Sequence, residues 1–384
     1  MPQPVTAQRT VPRAEHVGSL LRPPDLAEAV QAQVQSGEIG ASLDIHGARD
    51  LRELTDEHIR RVVARQESIG LDVVTDGEFG RILFTDSFYG AVQGFELTDE
   101  KAVFHDDSGG EIAVPFAPAA ARRLELTGNP LIGEVGLLSS LTDRRFKVTL
   151  PAASIGCAAE TYRPDLSGDA YKDADDLAHH IARLERELID AAVAEGASYV
   201  QLDFPLYPYL VDPHQRDRLR DQGQDPEALL TRFLAADRAV VKGLPDDVLT
   251  SLHICRGNLK SKWLYEGSLE PVAERMFGEL PYGRFLLEMD DLGREDDFSI
   301  LRYVPQGTDG PVVVLGLVSS KKPELEDEDE LLRAIEEAGA FLPVEQLALS
   351  PQCGFASNVQ GNELTEDDQW RKLELIARVA DRVW

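Results

Sequence analysis

One unit recurs along this 384-residue chain: an amphipathic helical stretch, a glycine at or near its end, a short strand-like run, then polar residues. Leu51 to Ile69 reads as a helix, Gly70 stops it, and Asp72 to Thr75 reads as a strand. Leu177 to Ala194 precedes Tyr199 to Leu202, and Leu269 to Phe277 precedes Arg284 to Glu288. Glu330 to Ala338, then Gly339, precedes Leu347 to Ser350. A period that switches from about 3.6 to strand-like at each step is the mark of βα units and a parallel sheet. Adding His16 to Leu20, Phe146 to Leu150, Val248 to His253 and Val312 to Leu317 makes eight strand candidates. Eight strands with intervening helices predict an α/β fold, a single (β/α)8 TIM barrel, typically of about 250 residues. The surplus has two homes. Residues 1–12 form an N-terminal arm ahead of a barrel over 13–384, and Val92 to Leu126 carries a hairpin signal at Asp107-Ser108-Gly109-Gly110 after the second strand unit. An open doubly wound sheet is the alternative, but no G-x-G-x-x-G opens a first helix.

Charge narrows the partners. Acidic residues outnumber basic ones 68 to 39, for a formal charge of −29. Nucleic acid and anionic membranes need clustered Lys and Arg, so neither is expected. The longest apolar run, Val312 to Val318, is far short of the ~20 residues of a membrane helix. The polar start lacks the apolar core of a secretory signal, and a cytoplasmic protein is expected. Cysteines at 157, 255 and 353 are too few and odd in number for a disulfide framework.

Barrel active sites lie at the C-terminal ends of the strands. The residues there are Asp76, Glu78, Asp203, His253, Cys255, Glu288 and Cys353. His253 and Cys255, two apart, project to one face; Glu288 ends the sixth strand and Cys353 follows the eighth. One His, two Cys and one Glu have the number and softness to hold tetrahedral Zn²⁺. Taken separately, Cys255 and Cys353 read equally as small buried hydrophobes. Arg22 and Arg256 near the mouth would read a carboxylate or sulfonate, or pair with a surface acid. The acidic run Glu324 to Glu330 reads as a helix start, and His179-His180 as helix residues. Cys157 reads as structural, Trp370 and Trp384 as packing residues, and Asp290-Asp291 as support for Glu288 or plain loop.

Six segments in order resemble the catalytic half of cobalamin-independent methionine synthase. They are Glu15 to Pro23, Thr75 to Phe79, Gln201 to Asp203, His253 to Asn258, the strand end at Glu288, and Leu349 to Phe355. The resemblance runs from about Arg13 to Trp384 and is nearest the single-domain branch, which includes the epoxyalkane:coenzyme M transferases. It implies a TIM barrel, and zinc held by His253, Cys255, Glu288 and Cys353. It implies a homocysteine-type acceptor held by Ser19, Glu78 and Asp203. The implied activity is transfer of a methyl or alkyl group to a small thiol. Three departures fall on the donor side. The sequence carries no counterpart of the second, N-terminal barrel of two-domain synthases. Leu317 to Lys322 lacks the family's histidine, and Pro151 to Ser154 stands where a tryptophan is expected. Methyl-tetrahydrofolate is therefore expected to be a poor donor. An epoxide, a simple methyl compound or a corrinoid carried by another protein is the substitute. Ser319 and Lys321 would supply a hydrogen bond to a leaving alkoxide. The readings kept against this one are thiol addition to an epoxide, as in the coenzyme M transferases, and a metal-free uroporphyrinogen-decarboxylase-like enzyme lined by Arg and Asp.

Overall fold

The structure is a computed structural model that describes residues 10–36, 49–106, 108–115, 118–289 and 297–384. Asp290-Asp291 and most of the N-terminal arm lie outside the described residues.

Six parallel strands form the central sheet: β5 (Val148–Pro151), β6 (Tyr199–Asp203), β7 (Leu249–Ile254), β8 (Arg284–Glu288), β9 (Val312–Val318) and β10 (Leu347–Pro351). Each lies beside its sequence neighbour, in the order β10-β9-β8-β7-β6-β5. Their residues are almost all buried, as strands covered on both faces must be, which is why they read as continuous apolar runs. Helices fill the crossovers, among them Ala174–Glu195 before β6 and Glu270–Glu279 before β8. Asp327 caps the helix Glu328–Ala338 and places three carboxylates in its first turn, as expected of the acidic run. No described helix is long and apolar enough to cross a membrane.

Two expected strands, at 16–20 and 72–75, are not strands. Each flank of the sheet carries one parallel bridge instead, Ala14 to Leu349 and Val74 to Phe146. The flanks touch where Asp72 N–H donates to the Ala14 carbonyl at 2.8 Å. For the second segment the turn that follows is the reason. Gly77 and Glu78 both take positive φ, +73° and +57°, which bends the chain out of an extended path.

The insertion is larger than one hairpin. β1 (Val92–Glu96) pairs antiparallel with β4 (Ala119–Leu126), and β2 (Lys101–His105) with β3 (Glu111–Pro115). The expected turn falls between β2 and β3, where Asp106 accepts from Ser108 and Gly110 N–H.

The sheet encloses an ionic layer that the apolar runs conceal. Glu15, Lys147 and Arg284 are each at most 1% exposed. Lys147 Nζ lies 2.8 Å and the Tyr199 hydroxyl 2.9 Å from Glu15 Oε2, and Arg284 lies 2.6 Å from Oε1. Burial alone would raise the Glu15 pKa, but Arg284 and Lys147 outweigh it and hold it at about 2. Neighbouring His16 is pushed down to about 4, by burial first and then by Lys147, so it is neutral when folded. Both shifts are depressions, so both contributions exist above the unfolded values and vanish on acidification. The expected result is loss of stability from about pH 6.5 to 4 through His16 and from about 4.5 to 2 through Glu15. The Glu15 share is roughly 3 kcal/mol. Urea unfolding midpoints measured against pH check this, and a flat profile from pH 5 to 3 contradicts it.

Candidate active site

The C-terminal ends of the strands converge on one cavity. Its free space is about 470 Å³, mouth included, and it is lined by Ser19, Glu78, Asp203, His253, Cys255 and Cys353, with Phe84, Phe104 and Phe204 among the apolar walls. β6 delivers Asp203 and β7 delivers His253 as directly paired residues, and Cys255 follows one residue past β7. Cys353 follows β10.

Backbone strain marks the same place. Among the described residues only four other than glycine have positive φ, and two of them, Glu78 and Phe204, line this cavity. Such conformations cost on the order of 1–3 kcal/mol and persist where the surroundings enforce them. Glycines permit the close approach. A Cβ on Gly18 would lie 2.4 Å from Glu78 Oε1, and one on Gly354 would lie 2.1 Å from Ser19 Oγ.

One ligand atom each of His253, Cys255 and Cys353 lies within 4.8 Å of the other two, all buried. Both ring nitrogens of His253 are buried. Cys255 beside Cys353 holds the Cys353 thiol well below the usual pKa against the effect of burial, with His253 adding to it, and the Cys255 thiol is pushed up. A buried imidazole that interacts with the Cys353 thiol, beside a second thiol, fits a borderline-soft divalent cation.

Glu288, the fourth expected ligand, stands outside that group. Its Oε1 accepts from Lys321 Nζ at 2.7 Å and Gln352 Nε2 at 2.5 Å, and its Oε2 from Arg256 N–H at 2.6 Å. Burial opposes its ionisation, but Lys321 outweighs burial and lowers its pKa. Lys321 is thereby committed to a carboxylate, and the Ser319 hydroxyl donates to Gln352 Oε1 at 2.6 Å. Neither lines the cavity, which corrects the expectation that they face a leaving group.

Two carboxylates face the cavity. Asp203 Oδ1 accepts from Gln201 Nε2 at 2.7 Å, and Glu78 Oε1 from the Thr149 hydroxyl at 2.8 Å. Burial pushes Asp203 up to about 7 and raises Glu78. The arginines are placed otherwise. Arg22 gives its guanidinium to the carbonyls of Glu78, Arg81 and Asn358. Arg256 borders a separate small cavity with Glu288. Neither lines the main cavity. Of the residues that position the carboxylates, Gln201 and Gln352 lie within the segments that carry the resemblance, whereas Thr149 is one polar residue in an apolar strand and carries no recognisable sequence signal.

The remaining candidates are structural. Cys157 Sγ donates to the Ala153 carbonyl, and His180 is buried against the Tyr171 hydroxyl at 2.8 Å. Trp370 is buried in the last helix, Glu366–Val383.

No family model matches the chain. It is 35% identical over 386 residues to the uncharacterized protein YxjH of Bacillus subtilis, spanning all of this chain and 97% of that one. A solved structure from Listeria monocytogenes, provisionally named a vitamin-B12-independent methionine synthase, is 30% identical with a TM-score of 0.71, covering 98% of this chain and 99% of that one. The methionine synthase of Pyrococcus abyssi is 24% identical over 306 residues, 80% of this chain and 77% of that protein.

Proposed function

The chain belongs to the cobalamin-independent methionine synthase-like family, and from that premise we propose that it transfers a methyl or alkyl group to a small thiol, zinc-dependently. The eight segments around the site read as a closed (β/α)8 barrel over residues 13–384, with 1–12 as an arm. The observation that carries the reading is one cavity uniting His253, Cys255 and Cys353 with Ser19, Glu78 and Asp203.

His253, Cys255 and Cys353 would hold the ion, with Glu288 as fourth ligand once its carboxylate leaves Lys321 and Gln352. Zn²⁺ there supplies a Lewis acid that keeps a thiol ionised near neutral pH. Glu78 and Asp203 place two carboxylates where a substrate ammonium would enter, and no Lys or Arg is among the described lining residues. That charge pattern favours homocysteine over coenzyme M, whose sulfonate needs a cation. The same lack of arginine speaks against the decarboxylase reading. In the reaction a bond forms between sulfur and carbon while the bond from that carbon to its leaving group breaks. The leaving group keeps the electron pair, and the thiol proton passes to solvent. No observation speaks for a corrinoid-carrying protein as donor.

Asp203→Asn tests the acceptor. It is expected to weaken homocysteine binding about 10- to 100-fold, because a charge-assisted partner is worth about 1.5–3 kcal/mol. Propanethiol, which lacks an amine, should lose little. Calorimetric titration of both thiols decides; equal losses would show that Asp203 does not read the ammonium.

A further inference from the structure

A second chamber opens off the proposed thiol site. It encloses about 1390 Å³, mouth included, and shares Phe84, Phe104, Phe204, Asn258 and Ser357 with the first cavity. The insertion builds much of its wall: Val92 and Phe95 from β1, Leu97 just beyond, and Val114 from β3. Tyr89 and Ile155 complete the apolar lining. Phe84 and Phe204 meet edge to face at 6.2 Å where the chambers join.

Its polar content is sparse and specific. No Lys, Arg or His is among the described lining residues. The one charged group, Asp86, spends its carboxylate on Ile82 and Leu83 N–H, both at 2.9 Å. Asn258 is 8% exposed and lines both chambers. Its Nδ2 donates to the Gly354 carbonyl at 2.8 Å, which fixes the amide orientation, and its Oδ1 is buried without a partner. A buried acceptor left unpaired is costly, and a ligand donor removes that cost. An anionic ligand would find no cation among the described residues of this wall, and a one-carbon compound would leave most of the chamber unfilled.

We propose that this chamber binds the body of the electrophilic substrate, an uncharged, bulky and mainly apolar molecule with one N–H or O–H that donates to Asn258 Oδ1. Its reacting carbon lies at the neck shared with the thiol cavity. This rests on the thiol-alkylation reading above. Asn258 is a specificity residue, and the folate class, with its anionic tail, is excluded from the chamber by charge.

The test uses a matched fluorescent pair on the zinc-loaded full chain. N-phenyl-1-naphthylamine is neutral with one N–H; 1-anilinonaphthalene-8-sulfonate is the same skeleton with an anion. The neutral probe is expected to bind at least about 10-fold tighter. Leu97→Arg, at a residue 73% exposed and so safe for folding, and Val114→Trp, which narrows the chamber, should each weaken the neutral probe about 10-fold or more. Homocysteine binding should be unchanged in both. Asn258→Leu should weaken N-phenyl-1-naphthylamine but not its N-methyl derivative, which has no N–H. Equal affinity for the two charge forms, or indifference of the neutral probe to both chamber variants, overturns the proposal. If the probe pattern holds but wild-type protein binds no homocysteine, the thiol reading fails and takes the occupant's reactive role with it.

Discussion

Cys255→Ser and Cys353→Ser are each expected to lose most of the bound zinc and to reduce thiol alkylation by at least about 10³-fold. Each removes one of two thiols from a group of three whose ligand atoms lie within 4.8 Å of one another. A serine hydroxyl is not ionised at neutral pH and is a harder donor, so the site loses charge and softness together. Both cysteines are buried just past a strand end, and serine is nearly isosteric with cysteine, so the fold should survive the change. Metal content by mass spectrometry, with circular dichroism as the folding check, measures the effect. Cys157→Ser is the control: Cys157 only donates to the Ala153 carbonyl, and its replacement should leave zinc unchanged. Full zinc content in Cys353→Ser would remove the metal from the account.

Glu15→Gln is expected to have the largest effect on stability, about 3–5 kcal/mol. The substitution is nearly isosteric, yet it leaves Lys147 and Arg284 as buried cations without the carboxylate they share. Glutamine keeps one acceptor oxygen, so its NH2 must face either Arg284 or the pair Lys147 and Tyr199, and the loss reports charge and hydrogen bonding together. Urea unfolding with an unchanged slope gives the number. A loss below about 1 kcal/mol would show that the layer relaxes or admits water, contrary to its burial.

Much of this architecture is legible in sequence because a parallel strand buried on both faces has few options. β8 falls on the expected Arg284 to Glu288, β6, β9 and β10 differ by one residue at one end, and β7 by one residue at each end. The flanking segments defeat the same logic. Between Glu15 and Leu20 the chain bends around Glu78, and a glycine that permits close approach looks like any other in sequence. The ionic layer is illegible for another reason. Glu15 and Lys147 are 132 residues apart, and Arg284 opens an otherwise apolar strand, so no local pattern pairs them.

Within the site, strand ends located Asp203, His253 and Cys255, because their placement needs only the register. The roles of Arg22 and Arg256 are not legible in sequence, because nearness to the mouth does not say where a long side chain points. Arg22 turns back to three carbonyls. The chamber beside the site was hidden because its walls come from elements distant in sequence, Tyr89, Val114 and Phe204 among them.

The central claim is that this cavity binds a thiol through a metal held by His253, Cys255 and Cys353. The direct measurement is calorimetric titration of homocysteine into the zinc-loaded protein and into the same protein stripped of metal, each shown to be folded. The account predicts affinity at least about 100-fold higher with zinc, a difference of about 2.7 kcal/mol. Equal affinity in the two forms would contradict it.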